Sequence, residues 1–453
     1  MSVSTPQQRQ LQRRWYWNDL GVTGYLTVTI TVLLGPYLTT VANAAACPGQ
    51  PTDQTCRTNL HVLGVPIAPG SVVPYTLTAG TIVAAVLLIL GGAIADRARR
   101  PARLLAFFAS VGSLAAMGLS LVTGTRWGLG VVLAMISTVC IALSTSVYNA
   151  IMVRITPAED RDRVSSIGWS FGYIGGALLL IVALVLLGVH DAVGLSTTGA
   201  VRVIFLLSGL WWAAFAWYSA TGLGSVRNQS PTDSLAAALR AGLSQLRATF
   251  GEIRRYPQTF RFLVAFLLYN DGIQTVISSA SLYGNRQLGF SDNQLVLTIL
   301  WVQIVAFAGA LGFARLAARF GSQRSILYSL AAWTVVVTVA FFLPRGAFLL
   351  WLLLATGIGM VLGGSQSLSR SLFSHLIPSG EETKYFSFYQ AMERGTSWFG
   401  TLLFGLIFQW VHDYRWSILT LVVFFAAGAA ILRTVDIRAG IAAVGNQVPA
   451  TLR

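Results

Sequence analysis

The 453-residue chain is 55% hydrophobic and only 10% charged, with a mean hydropathy of +0.66. A soluble globular domain carries roughly 25% charged residues, so this balance excludes one and places the chain in a membrane. The net charge of +15 raises the question of nucleic acid, but no basic face is interleaved with the aromatic platforms such binding needs.

Twelve apolar stretches of about 20 residues, the length that crosses a bilayer core of roughly 30 Å, begin near Trp17, Pro74, Leu104, Leu129, Val164, Val201, Phe262, Gln294, Ile326, Phe348, Tyr385 and Trp416. Unbroken apolar runs lack the alternation of membrane β-strands, so the class is all-α. The first stretch ends in the small-residue run from Ala42 to Cys47, which has the look of a cleavable or lipoprotein signal. Its length suffices to span and its polar residues recur in the second half, so it reads as a retained helix. Cys47 and Cys56 lie in the connection that follows, residues 44–73, and form a candidate disulfide. Cys140 falls inside the fourth stretch and reads as a small buried apolar residue.

Of the 31 basic residues, 24 fall on one side of the twelve spans, including Arg97, Arg99, Arg100 and Arg103 after the second, and Arg370 and Lys384 between the tenth and eleventh. Six lie in the opposite connections, and Arg394 alone is left within a span. The positive-inside rule then puts both termini in the cytoplasm, as in a multi-pass protein of the cell membrane.

Three landmarks repeat along the chain. Asn18-Asp19 in the first stretch is echoed by Asn270-Asp271 in the seventh, and DRARRPAR from Asp96 by ARFGSQR from Ala318. Ile155-Thr156-Pro157 is echoed by Leu376-Ile377-Pro378 at an offset of 221 residues. The offset of 252 at the first landmark is larger because the first half carries its long Cys-containing connection. The predicted organisation is a cytoplasmic segment, 1–14; a six-helix bundle, 15–222; a connector, 223–258; a second six-helix bundle, 259–433; and a cytoplasmic tail, 434–453. Leu235, Leu239, Leu243, Leu246 and Phe250 recur at helical spacing in the connector, which predicts an amphipathic helix on the membrane surface.

Two six-helix halves in one orientation are the parallel-repeat layout of major facilitator transporters. GGAIADRARR, from Gly91 to Arg100, resembles the loop signature of that superfamily. Segments 148–176, 269–284, 302–321 and 363–378, with Tyr385 to Tyr389, resemble the vacuole effluxer family, named after autophagy-related vacuolar amino-acid exporters, and its bacterial relatives. The resemblance implies the major facilitator fold and outward movement of a small metabolite such as an amino acid. In the first helix only the acid of the family's aromatic-Asp-Trp-Ala-Asn pattern is kept, as Asp19.

Asp19, Asp271 and Glu393 are the acids the segmentation puts inside helices, where a charge costs at least about 2.5 kcal/mol and usually marks a pathway. The repeat relates Asp19 and Asp271, each beside an Asn, Asn18 and Asn270. They are expected either to face one central cavity as proton-coupling or substrate-binding groups, with Gln274 nearby, or to pair with Arg, as Asp19 does with Arg14 if it turns back along its helix. Arg394 beside Glu393 either takes a substrate carboxylate through its planar fork or is neutralised internally. Gly92, Asp96, Arg97, Arg99 and Arg100 form a candidate gating loop. Tyr25, Tyr148, Asn149, Trp169, Tyr269, Gln274, Gln303, Gln366 and Tyr389 either line the cavity or pack helices.

No phosphate-binding loop, HExxH or GxSxG occurs, so the chain is expected to be neither an ATP-driven pump nor an enzyme, with no cofactor and no metal. The expected partners are a small-molecule substrate, protons and the bilayer, for a monomer working by alternating access; nucleic acid is not among them. The competing readings are a drug exporter and a non-transporting sensor or scaffold.

Overall fold

In this computed structural model the described residues are 4–49, 58–62, 65–227, 255–411 and 413–449. Twelve long helices follow one another among them: α1 (Pro6–Ala46), α2 (Val72–Arg97), α3 (Pro101–Gly118), α4 (Trp127–Ile155), α5 (Arg161–Val189), α6 (Thr197–Gly222), α7 (Pro257–Leu282), α8 (Asp292–Phe320), α9 (Ser322–Phe341), α10 (Phe348–His375), α11 (Glu382–Val411) and α12 (Tyr414–Arg433). A short α13 (Ile437–Ala443) follows. Among the described residues, eleven helical segments are long and apolar enough to cross a bilayer. α11 has the length, 30 residues, but Glu382, Lys384, Glu393 and Arg394 dilute its apolar character. The connector helix expected around Leu235 to Phe250 lies outside the described residues, as does Cys56. Cys47 is disulfide-bonded and Cys140 is a buried free thiol.

Local sequence explains where the helices begin. Thr5 and Gln8 form a reciprocal capping box at the start of α1 with Pro6 as the first helical residue, and Ser291 and Gln294 do the same for α8. Inside α1 the β-branched run LTVTITVL, Leu26–Leu33, winds as a π-helix, a form that concentrates at functional sites. Large apolar side chains such as Leu114, Phe342, Leu349 and Val423 point outward, as lipid-facing surfaces require.

Packing repeats between the halves. α1 packs on α5 and α6, α4 on α2 and α3, and α3 on α6; the second half mirrors each pair, with α7 on α11 and α12, α10 on α8 and α9, and α9 on α12. The halves meet where α5 packs on α8 and α10, and α11 on α2 and α4. Glycine permits the tightest crossings: a Cβ on Gly175 of α5 would run into the Leu20 carbonyl of α1, and one on Gly363 of α10 into the Ala306 carbonyl of α8.

One placement corrects the sequence reading. Arg370 was expected in a connection, yet it lies in α10, which runs 28 residues to His375. At 1.5 Å per residue that helix is about 42 Å long, so it outlasts the apolar core by several residues.

Candidate functional site

Between the halves, α1, α5, α7, α8 and α10 enclose a cavity of about 260 Å³. Its polar wall is built from Thr23, Thr27, Gln274, Thr298, Gln303 and Gln366, and its aromatic wall from Trp169, Tyr173 and Trp351. None of the described lining residues carries a formal charge. Thr23, Thr27 and Thr31 recur every four residues along α1, so the π-helical stretch contributes two of the three hydroxyls. Gln303 Nε2 donates to Thr27 Oγ1 at 2.6 Å across the halves, and Gln366 Nε2 donates to Asn270 Oδ1 at 2.8 Å. Trp169 Nε1 and the Tyr173 hydroxyl have no hydrogen-bond partner among the described residues.

One helical turn beneath that wall lies a charged layer. Arg370, one turn beyond Gln366, is buried at 5% side-chain exposure. Its Nε donates to Ser165 Oγ at 2.9 Å and its Nη2 to the Ser165 carbonyl at 2.7 Å. Its Nη1 reaches Asp19 Oδ2 and Asn149 Oδ1, each at 3.4 Å. The rings of Trp15, Trp169 and Tyr148 surround the guanidinium at 5.1, 5.4 and 5.8 Å. Cation–π attraction of this kind strengthens when the charge is desolvated. Asp19 Oδ2 also accepts from the Tyr148 hydroxyl at 2.8 Å. Gly168 makes room for the group, since a Cβ there would meet the Trp15 ring and Asp19 Oδ2. Asn149 and Arg370 are repeat counterparts at the offset of 221, so their contact marks the pseudo-two-fold axis.

Closer to the face where α1 begins and α12 ends, the halves are fastened by a latch that itself repeats. Arg154 Nη2 pairs with Glu382 Oε2 at 3.1 Å. The repeat counterparts of those residues are His375 and Arg161, and Arg161 Nη1 lies 3.5 Å from His375 Nδ1 while donating to the Ser374 carbonyl at 2.7 Å. Ser322 Oγ donates to Asp162 Oδ2 at 2.5 Å, and Ser165 Oγ to the Ser367 carbonyl at 2.7 Å.

The predicted acids do not share one cavity. Asp19 pairs with Arg370 instead of Arg14, whose guanidinium lies 4.0 Å over the Tyr218 ring. Asp271 is buried within its own half, where the Gly400 N–H donates to its Oδ2 at 2.8 Å and its Oδ1 has no partner among the described residues. The divergence follows from packing: α7 presses Asp271 against α11 at Gly400, whereas the Asp19 face of α1 looks onto α4 and α10. Asn18 is buried with its Oδ1 unpartnered among the described residues. Glu393 accepts from Gln390 Nε2 at 2.7 Å. Arg394 lies in α11 with its side chain outside the described residues, as are those of Asp96 and Arg97; Gly92 lies in α2, and Arg99 and Arg100 are exposed. Of the polar and aromatic candidates, Trp169, Gln274, Gln303 and Gln366 line the cavity. Tyr25, Tyr148, Asn149, Tyr269 and Tyr389 are buried elsewhere.

Arg370 is the charged residue that sequence reasoning left out of the site. The signal was present: an offset of 221 sets it opposite Asn149.

Twelve helices in two matching halves around a central cavity define a multi-pass transporter of the major facilitator class. Solved structures of that class match almost the whole chain: the proton:xylose symporter XylE with 6-bromo-6-deoxy-D-glucose at a TM-score of 0.67, 13% identity and coverage of 95% of this chain and 96% of that one. The transporter FucP in the outward conformation matches at a TM-score of 0.65 and 13% identity, over 93% and 97% of the two chains. Residues 7–445 match the family described as vacuole effluxer Atg22 like, and the chain belongs to that family. Among its relatives, the uncharacterized MFS-type transporter YxiO of Bacillus subtilis is 26% identical over 360 residues, 79% of this chain and 83% of that protein. Autophagy-related protein 22 of Yarrowia lipolytica is 26% identical over 477 residues, 86% of this chain and 79% of that protein.

Proposed function

We propose that this transporter exports a small polar metabolite such as an amino acid across the cell membrane, coupled to protons, with both termini in the cytoplasm. The observation that carries the reading is the cavity, which presents hydroxyls, amides and aromatic faces and no formal charge among its described lining. Such a wall suits a solute with no net charge and several hydrogen-bonding groups. Its volume of about 260 Å³ falls below the roughly 300–1,000 Å³ of pockets for drug-sized ligands, which argues against the drug-exporter reading. The position between two rocking halves is where carriers of this architecture bind cargo.

Asp271 is the proposed proton carrier. A buried carboxylate with one N–H partner and an orphan oxygen is costly in its charged form, and protonation relieves that cost. The test is uptake of a pooled amino-acid mixture into proteoliposomes under an imposed pH gradient. Gradient-driven flux is expected in the wild type and lost in Asp271→Asn, with exchange retained. Wild-type vesicles that carry no amino acid, or that ignore the gradient, sink the reading.

A further inference from the structure

We propose that the floor of the cavity is a carboxylate subsite, in which Arg370 takes the carboxylate of the transported solute in place of Asp19. The inference rests on the cavity being the substrate site, and it names the chemical group that site recognises.

Arg370 and Asp19 stand one helical turn beyond the cavity lining, behind Trp169. Gln366 and Thr23 line the wall; Arg370 lies four residues after Gln366 and Asp19 four residues before Thr23, each about one 5.4 Å turn closer to the face where α1 begins. Trp169 joins the two levels, since its ring both lines the cavity and lies 5.4 Å from the guanidinium.

The guanidinium is only partly committed. Ser165 occupies Nε and Nη2 at ordinary hydrogen-bond lengths, which leaves Nη1 with two contacts of 3.4 Å. A well-formed N⁺–H···O⁻ bond is about 2.7–2.9 Å long, so the resident carboxylate of Asp19 holds this position loosely. Asp19 has a second partner to keep when displaced, the Tyr148 hydroxyl at 2.8 Å.

A second, independent feature points to an acceptor-rich ligand. Tyr173, 4% exposed, and Trp169 lie one turn apart on α5, line the cavity, and have an O–H and an N–H without a partner among the described residues. Buried donors left unmade are costly, and a carboxylate entering beside them accepts from two groups that no described residue accepts from. The site therefore selects solutes that carry a carboxylate over isosteric amides.

The test is calorimetric titration of the purified full-length protein with a pool of neutral L-amino acids and, separately, with the matching α-amides. Acids are expected to bind and amides to bind at least tenfold more weakly, the worth of a hydrogen bond to a charged group. Asp19→Asn removes the competing carboxylate and is expected to tighten acid binding several-fold; a purely structural ion pair would predict weaker binding. Tyr173→Phe, which leaves the Arg370 layer intact, is expected to weaken acid binding by about tenfold. Equal binding of acids and amides, or acid binding that neither variant changes, overturns the subsite. Vesicles that carry amides as fast as acids would do so too while leaving the reading of a small-solute carrier in place. Absence of all transport would sink that reading, and the binding arms would still decide on Arg370.

Discussion

Asp19 and Asp271 hold matching positions in the two halves, yet one reaches across the molecule and the other stays at home. Asp19 meets Arg370 of the opposite half inside an aromatic cage. Asp271 takes a backbone N–H from α11 within its own half. The mirrored helix packing shows that duplication preserved the scaffold. What each carboxylate does depends on the residue the other half presents: on the pseudo-two-fold axis Asn149 faces Arg370, an amide against a cation. A gate needs a contact that breaks when the halves separate, which the Asp19 pair supplies. Asp271, bonded within its own half, takes no part in that contact, and the proton role proposed for it requires that water reach its carboxylate from different sides as the halves move.

The largest effect that would separate these roles comes from Arg370→Ala. It strands a buried carboxylate, an outcome that costs roughly 3–5 kcal/mol. The thermal midpoint of the purified protein is expected to drop by several degrees, with transport abolished. Asp271→Ala strands only a neutral N–H and is expected to cost about 1–3 kcal/mol. Equal destabilisation by the two would break the comparison, because it would mean that Asp271 has an ionic partner of its own. Next comes the latch. Arg154 and Glu382 are 10% and 5% exposed, and losing a bond between charged groups is worth about 1.5–3 kcal/mol, tenfold or more in the closed population. Glu382→Gln is therefore expected to speed maleimide labelling of a cysteine placed at Ser367, which faces Ser165 and Ser166 across the closed interface. Unchanged labelling would mean that the remaining contacts between the halves, among them Arg161 with the Ser374 carbonyl and Asp19 with Arg370, hold the face shut without this pair.

How much of this was legible follows from which physical signal each feature leaves. Spans are legible because lipid demands about twenty apolar residues, and the repeat because its turns need particular residues, such as Pro157 and Pro378. Helix ends are not, because beyond the lipid nothing in hydropathy marks where α10 stops, and Arg370 sat in that blind stretch. Trp169 and the three glutamines betrayed themselves as polar groups within spans, whereas Tyr173 did not, since a tyrosine is equally at home packed between helices. The partner of Asp19 was illegible for a different reason. Helix spacing bounds the distance to Arg14 along the chain but says nothing of which neighbouring helix fills the gap.

The smallest effect is also the one that isolates surroundings from position. Asp160–Arg163 and Glu381–Lys384 are counterparts at the offset of 221, and both form ion pairs three residues apart, at 3.6 and 2.9 Å. Their settings differ: the Arg163 side chain is 44% exposed and that of Lys384 only 7%. Asp160 is itself buried, but the Ser4 N–H and hydroxyl still donate to its carboxylate when Arg163 is removed, so losing the half-exposed partner of this pair, Arg163→Ala, is expected to cost under about 1 kcal/mol. Lys384→Ala also removes a packed aliphatic stem and its ammonium 5.5 Å from the Tyr385 ring, and is expected to cost at least twice as much. Equal costs would mean that position within the repeat sets the energetics, and the contrast between Asp19 and Asp271 would then need a cause other than what surrounds each of them.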